Sequence, residues 1–378
     1  MNIFIAIDSF KGSLSSLQAG KAAAEGILSV FPDAKITVSP LADGGEGTVD
    51  AVIGAMHGRK RTLTVTGPLG APVKATYGIL DKTKTAVIEM AAAAGITLVP
   101  EEKRNALYTT TFGVGEMIAD AVHKGCRDFL IGIGGSATND GGTGMLRSLG
   151  AKFLDQNGND IPLGAIGLST LAEIRTDGLL KELSDCRFRV ACDVKNPLCG
   201  ENGCSAVFGP QKGLAAEYIS LADAWLSAYA ALTKTLSPAS DAEKEGCGAA
   251  GGMGFAFLSY LSAELRSGIE LVLDVTEAKK HIQEADIVLT GEGRLDGQSC
   301  MGKAPVGVAK LAKKHGKTVI ALAGGVTEDA DQTHDHGIDA FFPIVRTPCT
   351  LAEAMQTENA YRNMRSTVRE IFRLIKLC

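Results

Sequence analysis

Three glycine-dense stretches hold most of the side chains whose types and spacing could do chemistry. They are Asp43-Gly44-Gly45-Glu46-Gly47-Thr48, the run from Gly132 to Met145 that includes Gly134-Gly135-Ser136-Ala137-Thr138-Asn139-Asp140, and Thr290-Gly291-Glu292-Gly293-Arg294-Leu295-Asp296. Glycine makes up 45 of the 378 residues and clusters at the ends of apolar runs, as expected where backbone is brought close to a ligand. Phosphoryl transfer asks for parts of this kind. It needs donors around the phosphates, a divalent ion held by carboxylates, positive charge on the transferring group and an oriented acceptor hydroxyl. Neither the Gly-x4-Gly-Lys-Ser/Thr phosphate loop nor the protein-kinase signature set is present.

Each stretch has a functional and a plain reading. Gly44, Gly45, Gly47 and Thr48 lie between a strand and a helix start, where unpaired N–H groups favour anions, and Asp43 is a candidate metal ligand. A tight strand-to-helix connection is the alternative. Gly134, Gly135, Ser136, Thr138 and Asn139 directly follow a strand, in a loop without an apolar anchor that is costly to order unless something binds. A flexible surface loop is the alternative. In the third stretch Glu292 and Asp296 are candidate Mg²⁺ ligands, while Arg294 and the later Lys303 would neutralise phosphate or carboxylate charge. The plain reading is a surface ion-pair network. Asp8 and Lys11 stand at the end of the first strand and Asp193 closes another; either aspartate would serve as general base, with Lys11 and Arg294 as cations at the reacting groups. Lys212, in Gly209-Pro210-Gln211-Lys212-Gly213, is another cation in a turn, weak evidence on its own. His57, His123, His281, His315, His334 and His336 show no nucleophile or ligand spacing, so no catalytic histidine is expected.

The elements that must position these residues alternate at both ends of the chain. An apolar run over residues 3–7 stops at Asp8. A serine-started helix follows with Leu17, Ala24, Ile27, Leu28 and Phe31 at helical spacing and Pro32 beyond it, then a strand at Ile36–Val38 and a helix ending near Met56. From about residue 60 three β-rich runs, 63–66, 73–80 and 85–90, succeed one another without helices, which predicts hairpins and a mixed sheet. A helix over 110–124, strands over 129–133, 188–194 and 269–275, and then the strand 287–290, a glycine-rich loop, a helix over 304–315, a strand over 319–323 and another through Ile344 complete the pattern. Thr350-Leu351-Ala352-Glu353 is a capping box that opens the last helix. The reading is α/β: a discontinuous flavodoxin-like or Rossmann-like parallel-sheet domain, residues 1–60 and 285–378, with a mixed-sheet α/β domain, 61–284, inserted. Two chain crossings would then form a hinge beside a cleft, a common setting for a kinase site.

Composition narrows the partners. A net charge of -5 without a long Lys/Arg run argues against nucleic acid. The start, Met-Asn-Ile-Phe-Ile-Ala-Ile-Asp, is no signal peptide, and no apolar run approaches the roughly 18 residues of a membrane span, so a cytoplasmic protein off the membrane is expected. Whether it forms a homo-oligomer is left open. The nine cysteines, with Cys192, Cys199 and Cys204 lacking CxxC spacing, read as free thiols.

Asp8-Ser9-Phe10-Lys11-Gly12, Pro40 to Thr48, the Gly134 to Gly144 loop, Cys192-Asp193-Val194-Lys195-Asn196-Pro197-Leu198, Gly248 to Gly254 and Thr290 to Asp296 occur in an order that resembles the bacterial type I glycerate kinase family over essentially the whole chain. The resemblance implies a kinase that moves the γ-phosphoryl of ATP to D-glycerate with Mg²⁺, generally giving 2-phosphoglycerate, on two α/β domains of which a flavodoxin-like one is interrupted. Another small hydroxy-acid as substrate, or 3-phosphoglycerate as product, is the runner-up. An oxidoreductase fits poorly, because the first strand-to-helix loop lacks the GxGxxG fingerprint, and a two-lobed binding module would not need so many charged site residues.

Overall fold

The computed structural model of the chain describes residues 1–42 and 44–377. Asp43, a metal-ligand candidate, therefore lies outside the described residues. At the start β1 (Asn2–Ile7), α1 (Ser16–Leu28), β2 (Lys35–Val38) and α2 (Thr48–Met56) alternate. Next come β3 (Arg59–Thr66), β4 (Pro72–Leu80), β5 (Thr85–Glu89), α3 (Ala91–Ala94), α4 (Phe112–His123), β6 (Asp128–Gly132), α5 (Thr143–Ser148) and β7 (Lys152–Leu154). The middle continues with β8 (Glu173–Arg175), β9 (Arg187–Ala191), α6 (Cys204–Phe208), α7 (Ala216–Leu236), α8 (Met253–Tyr260) and β10 (Glu264–Arg266). The chain closes with α9 (Gly268–Val275), α10 (Ala278–Glu284), β11 (Ile287–Leu295), α11 (Ala304–Lys313), β12 (Thr318–Val326), β13 (Ala340–Pro343), α12 (Leu351–Met355) and α13 (Thr357–Ile375). Contacts divide it into two compact units, the first comprising Met1–Asp43, Asp50–His57 and Ile269–Cys378 and the second Gly44–Val49 and Gly58–Gly268. No described helix is long and apolar enough to cross a membrane.

The first unit is built on a five-stranded sheet ordered β13-β12-β11-β1-β2, with every neighbouring pair parallel. Numbered within the unit, that order is 2-1-3-4-5, the flavodoxin-like arrangement. Ile3 to Ile7 are buried throughout β1, because a central parallel strand is covered on both faces and so reads as continuous apolar sequence. Two details of the sequence reading change. On α1 the core face is Ala19, Ala22, Ala23 and Ile27, while Leu17 and Leu28 are each 41% exposed. This face packs closely against α13, with Gly26 where the two helices come nearest. The capping box at Thr350 and Glu353 forms, but it starts the five-residue α12; the long terminal α13 follows a break at Gln356.

The second unit carries a six-stranded mixed sheet ordered β10-β9-β6-β5-β4-β3, in which β3, β4 and β5 pair antiparallel and β5, β6, β9 and β10 pair parallel. Its core is aromatic: Phe129 stacks on Phe188 at 4.8 Å, and Phe257 lies 6.1 Å from Phe188. Each such ring contributes about 1.5–3 kcal/mol by leaving water. Strand β9 ends at Ala191, before Asp193. The strand expected over residues 269–275 is instead α9, in the first unit. An apolar run alone does not separate strand from buried helix. The exposed acids Glu270 and Asp274, four apart, mark the helical period that the run of Ile, Leu and Val concealed.

Gly26, in α1, supplies a test of the α1–α13 contact. A Cβ there would stand 2.5 Å from the Arg365 carbonyl oxygen and 3.1 Å from Val368 Cβ. Gly→Ala inside a helix ordinarily gains up to about 1 kcal/mol. Here overpacking reverses the sign, so Gly26→Ala is expected to lose about 1–3 kcal/mol in urea unfolding. A gain in stability would show that the two helices are not seated this closely.

Candidate functional site

In the first unit the loops leaving the sheet at its carboxyl edge enclose a cavity of about 700 Å³. Its wall includes Asp8 and Lys11 after β1, Glu292 and Arg294 on β11, Asp296 beyond it, and Lys303. Six residues singled out from sequence are thus brought together. The place is the one open parallel sheets reserve for ligands, the crevice between β1 and β11 where the strand order reverses direction. Strand β11 does not stop at Thr290 before a loop, as the glycines suggest. It continues through Leu295, paired with β12 as Glu292 opposite Ala323 and Arg294 opposite Gly325. A Cβ at Gly291 would lie 2.1 Å from the Leu322 carbonyl oxygen, so that glycine serves close strand pairing.

The carboxylates of this wall are anchored. The buried Ser299 hydroxyl donates to Glu292 Oε1 at 2.6 Å, and Ser299 Oγ itself accepts from the Asp296 N–H at 3.2 Å. Asp296 in turn caps the following turn through Gln298 N–H at 3.1 Å. The cations are held loosely: Arg294 Nε and Lys303 Nζ each stand 3.6 Å from Asp296, with the Arg294 side chain 70% exposed. Ion pairs of this kind contribute little stability and exchange readily for a better partner. Ile344, Val345, Leu351, Ala354 and Met355 give the cavity an apolar side that the sequence reading did not include.

In the second unit the other candidates gather at the carboxyl ends of β5, β6 and β9. Gly134 and Gly135 are exposed, but Ser136, Thr138 and Asn139 are buried. The loop therefore has an anchor, contrary to its composition. Asp140, wholly buried, accepts from Thr111 N–H and Oγ1–H, both at 2.9 Å, from Gly142 N–H at 3.1 Å and from Gly144 N–H at 3.3 Å. Burial raises the Asp140 carboxyl above its usual range, and these donors oppose the rise. Lys212 Nζ, also buried, donates to Ser136 Oγ at 2.8 Å and to the Thr138 carbonyl at 2.7 Å. Asn139 Nδ2 donates to Ser205 at 2.9 Å, while Asn139 Oδ1 and Thr138 Oγ1 are buried without a hydrogen-bond partner.

The helix start beside Gly44 to Thr48 differs from expectation. Glu89 Oε1 accepts the Val49 N–H at 2.7 Å, and the buried Thr48 hydroxyl donates to the Gly45 carbonyl at 2.8 Å. The opening foreseen for an anion is closed by the protein's own carboxylate. Gly44 meets a packing need: its missing Cβ would lie 2.4 Å from Ala191 Cβ. Asp193 is exposed, and its Oδ1 accepts from Gly268 N–H at 3.1 Å. No described group of three or more His, Cys, Asp or Glu residues forms a closed metal cage. Cys192, Cys199 and Cys204 are free thiols, and burial pushes Cys204 up to about 12. Sequence reasoning left out Asp140 and Glu89 and undervalued Lys212. An aspartate directly before Gly-Gly-Thr at a helix start is a capping signal that could have found the first.

Burial pushes Lys212 down to about 8 from its ordinary 10.5. Between those values the unfolded chain binds more protons than the folded one, so stability rises with pH across that window and is indifferent to this group below it. In urea titrations from pH 8 to 10, wild type is expected to gain on Lys212→Met by about 1 kcal/mol per pH unit. A gap independent of pH would refute the assignment.

Comparison with known proteins gives one answer from three directions. A model of the glycerate kinase family matches residues 3–376. The chain is 50% identical over 371 residues to a protein of Escherichia coli K12 named glycerate 2-kinase, covering 98% of this chain and 97% of that one. It is 48% identical over 377 residues to the Bacillus subtilis 168 protein named glycerate kinase, covering 100% and 98%. A crystal structure from Salmonella typhimurium LT2, described provisionally as glycerate kinase 2, superposes with a TM-score of 0.92 at 48% identity over 100% of this chain and 98% of the other. On this evidence of sequence and fold, the chain belongs to the glycerate kinase family.

Proposed function

We propose that this enzyme transfers the γ-phosphoryl group of ATP to the 2-hydroxyl of D-glycerate, giving 2-phosphoglycerate. The observation that carries the reading is the cavity of the first unit, where Asp8, Glu292 and Asp296 face Lys11, Arg294 and Lys303 at the switch point of a parallel sheet. Relatives named for glycerate kinase activity, alike over nearly the whole chain, supply the substrate.

Phosphoryl transfer is mostly positioning and charge neutralisation, and the wall suits both. Lys11 and Arg294 pair with the anionic groups of glycerate and of the transferring phosphoryl, Lys303 with the phosphate tail. Arg294 and Lys303 leave only a loose pairing with Asp296 to do so. Gly134, Gly135 and Ser136 serve as an oxygen-binding turn. Asp8 takes the proton of the glycerate hydroxyl; Asp193 is the other carboxylate able to fill that role.

The residues also fit Mg²⁺ in the form that a nucleotide carries it. Three carboxylates balance three cations along the wall, so the charge of a triphosphate calls for a further cation. Mg²⁺ is commonly held by one or two carboxylates plus phosphate oxygens and water, not by a closed protein cage. Glu292 and Asp296 are the groups that would hold it, and the ion would neutralise charge on the β- and γ-phosphates.

The test is phosphate transfer from ATP to D-glycerate with Mg²⁺, the product identified by NMR. Asp8→Asn is expected to lower kcat by at least about a hundredfold without a comparable change in Tm, in the range set by removing a general base. Loss in Asp193→Asn with Asp8→Asn unaffected would move the base to Asp193. No turnover of D-glycerate by wild type would reject the activity itself.

A further inference from the structure

The buried Lys212 is a cation with a fixed donor geometry and no role in the reading above. An ammonium has three hydrogens and no lone pair, so the Lys212–Ser136 contact at 2.8 Å has one direction, with Ser136 Oγ accepting. The Thr138 carbonyl takes a second hydrogen at 2.7 Å. The Ser136 hydroxyl therefore keeps its own hydrogen to give away, and among the described residues no acceptor takes it. Ser136 adjoins the exposed Gly134–Gly135 turn. The next residues of the loop, Thr138 and Asn139, are wholly buried and carry side-chain oxygens without partners, which a folded core tolerates poorly unless a ligand or water completes them.

We propose that Lys212 and Ser136 form an anion-recognition pair, in which the buried ammonium turns the serine hydroxyl into a donor for an anionic oxygen of a substrate. The proposal rests on the kinase reading and deepens it by naming the anion the pair recognises as either the glycerate carboxylate or a nucleotide phosphate. The pair has an internal dependence on charge. A neutral Lys212 amine has a lone pair, would accept the Ser136 hydrogen, and would take the donor away from the substrate. Burial places that change near the alkaline end of ordinary assay conditions, at about 8. The titratable groups facing the amine are Asp140 of the same loop and Cys204 of α6, the latter a neutral thiol because burial pushes it up to about 12. Arg104 adjoins the turn through its carbonyl, 2.1 Å from where a Cβ of Gly213 would stand.

Steady-state kinetics from pH 7 to 10, varying D-glycerate and ATP in turn, test the pair. In wild type the KM for one substrate is expected to rise as pH passes about 8. Ser136→Ala should raise that KM about tenfold at pH 7, a hydrogen bond to a charged group being lost, and remove its alkaline rise while kcat changes by less than about threefold. Lys212→Arg, which stays charged throughout, should hold the KM low at pH 9–10. Glycerate as the affected substrate identifies the carboxylate, ATP the phosphate. A Ser136→Ala enzyme with both KM values within about twofold of wild type and the same pH profile overturns the pair, as does an alkaline rise that persists in Lys212→Arg. If wild type turns over no hydroxy-acid, the kinase reading fails by itself. Calorimetric binding of ATP and of D-glycerate to wild type and Ser136→Ala then judges the pair, and equal affinities overturn it.

Discussion

A carboxylate taken wholly out of water must recover its lost hydration from the protein, and Asp140 does so with four donors drawn from two helix starts. Thr111 begins α4 and Gly142 begins α5, so one side chain locks the ends of two helices to the loop that follows β6. The Thr111 hydroxyl, having donated to Asp140, accepts from the Met145 N–H at 2.9 Å, which closes the arrangement. Thr138, Asn139 and Ser136 are set by that lock, and Lys212 then clamps the exposed end. A loop rich in glycine becomes rigid because Asp140 and Lys212 tie it down from inside, and a rigid donor costs no ordering when a ligand arrives.

The first unit reaches a comparable result by topology. With β1 inside the sheet and the chain leading from it to β2 on one side and β11 on the other, the loops after β1 and β11 part and leave a crevice at the sheet's carboxyl edge. The extension of β11 and β12 past the ends of β1 and β13 carries Glu292 and Arg294 into that crevice on paired strand instead of on loop. Side chains on strands are placed more narrowly than side chains on loops. The Ser299 bridge adds to this by fixing Glu292 from behind.

Much of this arrangement was legible in the residues. The apolar run before Asp8, the alternation at both ends and the helix-free run of strands after residue 60 gave the α/β class and the mixed sheet, because burial writes itself as periodicity. Asp8, Lys11, Glu292, Arg294, Asp296 and Lys303 were found from type and position at strand ends. What stayed hidden depended on pairing across the chain. The glycines of 291–293 look like a loop until the Leu322 carbonyl opposite them is known. Thr48 looks like a phosphate ligand until Glu89, forty residues away, is found at the same helix start. Lys212 looks like a surface cation in a turn, since lysine is almost never fully buried, and only the fold shows it inside.

The contrast between anchored carboxylates and loosely held cations on the first unit's wall bears on how such a site could act. Groups fixed before the substrate arrives stabilise developing charge without having to reorganise, whereas groups that must follow a migrating phosphoryl need reach. Glu292, bonded to Ser299, and Asp296, capping a turn, are of the first kind. Arg294 and Lys303, long side chains resting 3.6 Å from Asp296, are of the second. Asp296 is the common point: it keeps both cations beside the cavity, and under the proposed function they would pass from it to a pair of phosphate oxygens, a bidentate partner for Arg294 that a capping carboxylate does not offer. On the same proposal that carboxylate would be left facing the phosphates, where a divalent ion would restore its charge balance. Under the proposed function, exchange of partners at Asp296 would couple cation release to metal demand, so that nucleotide and ion would be bound better together than either is alone.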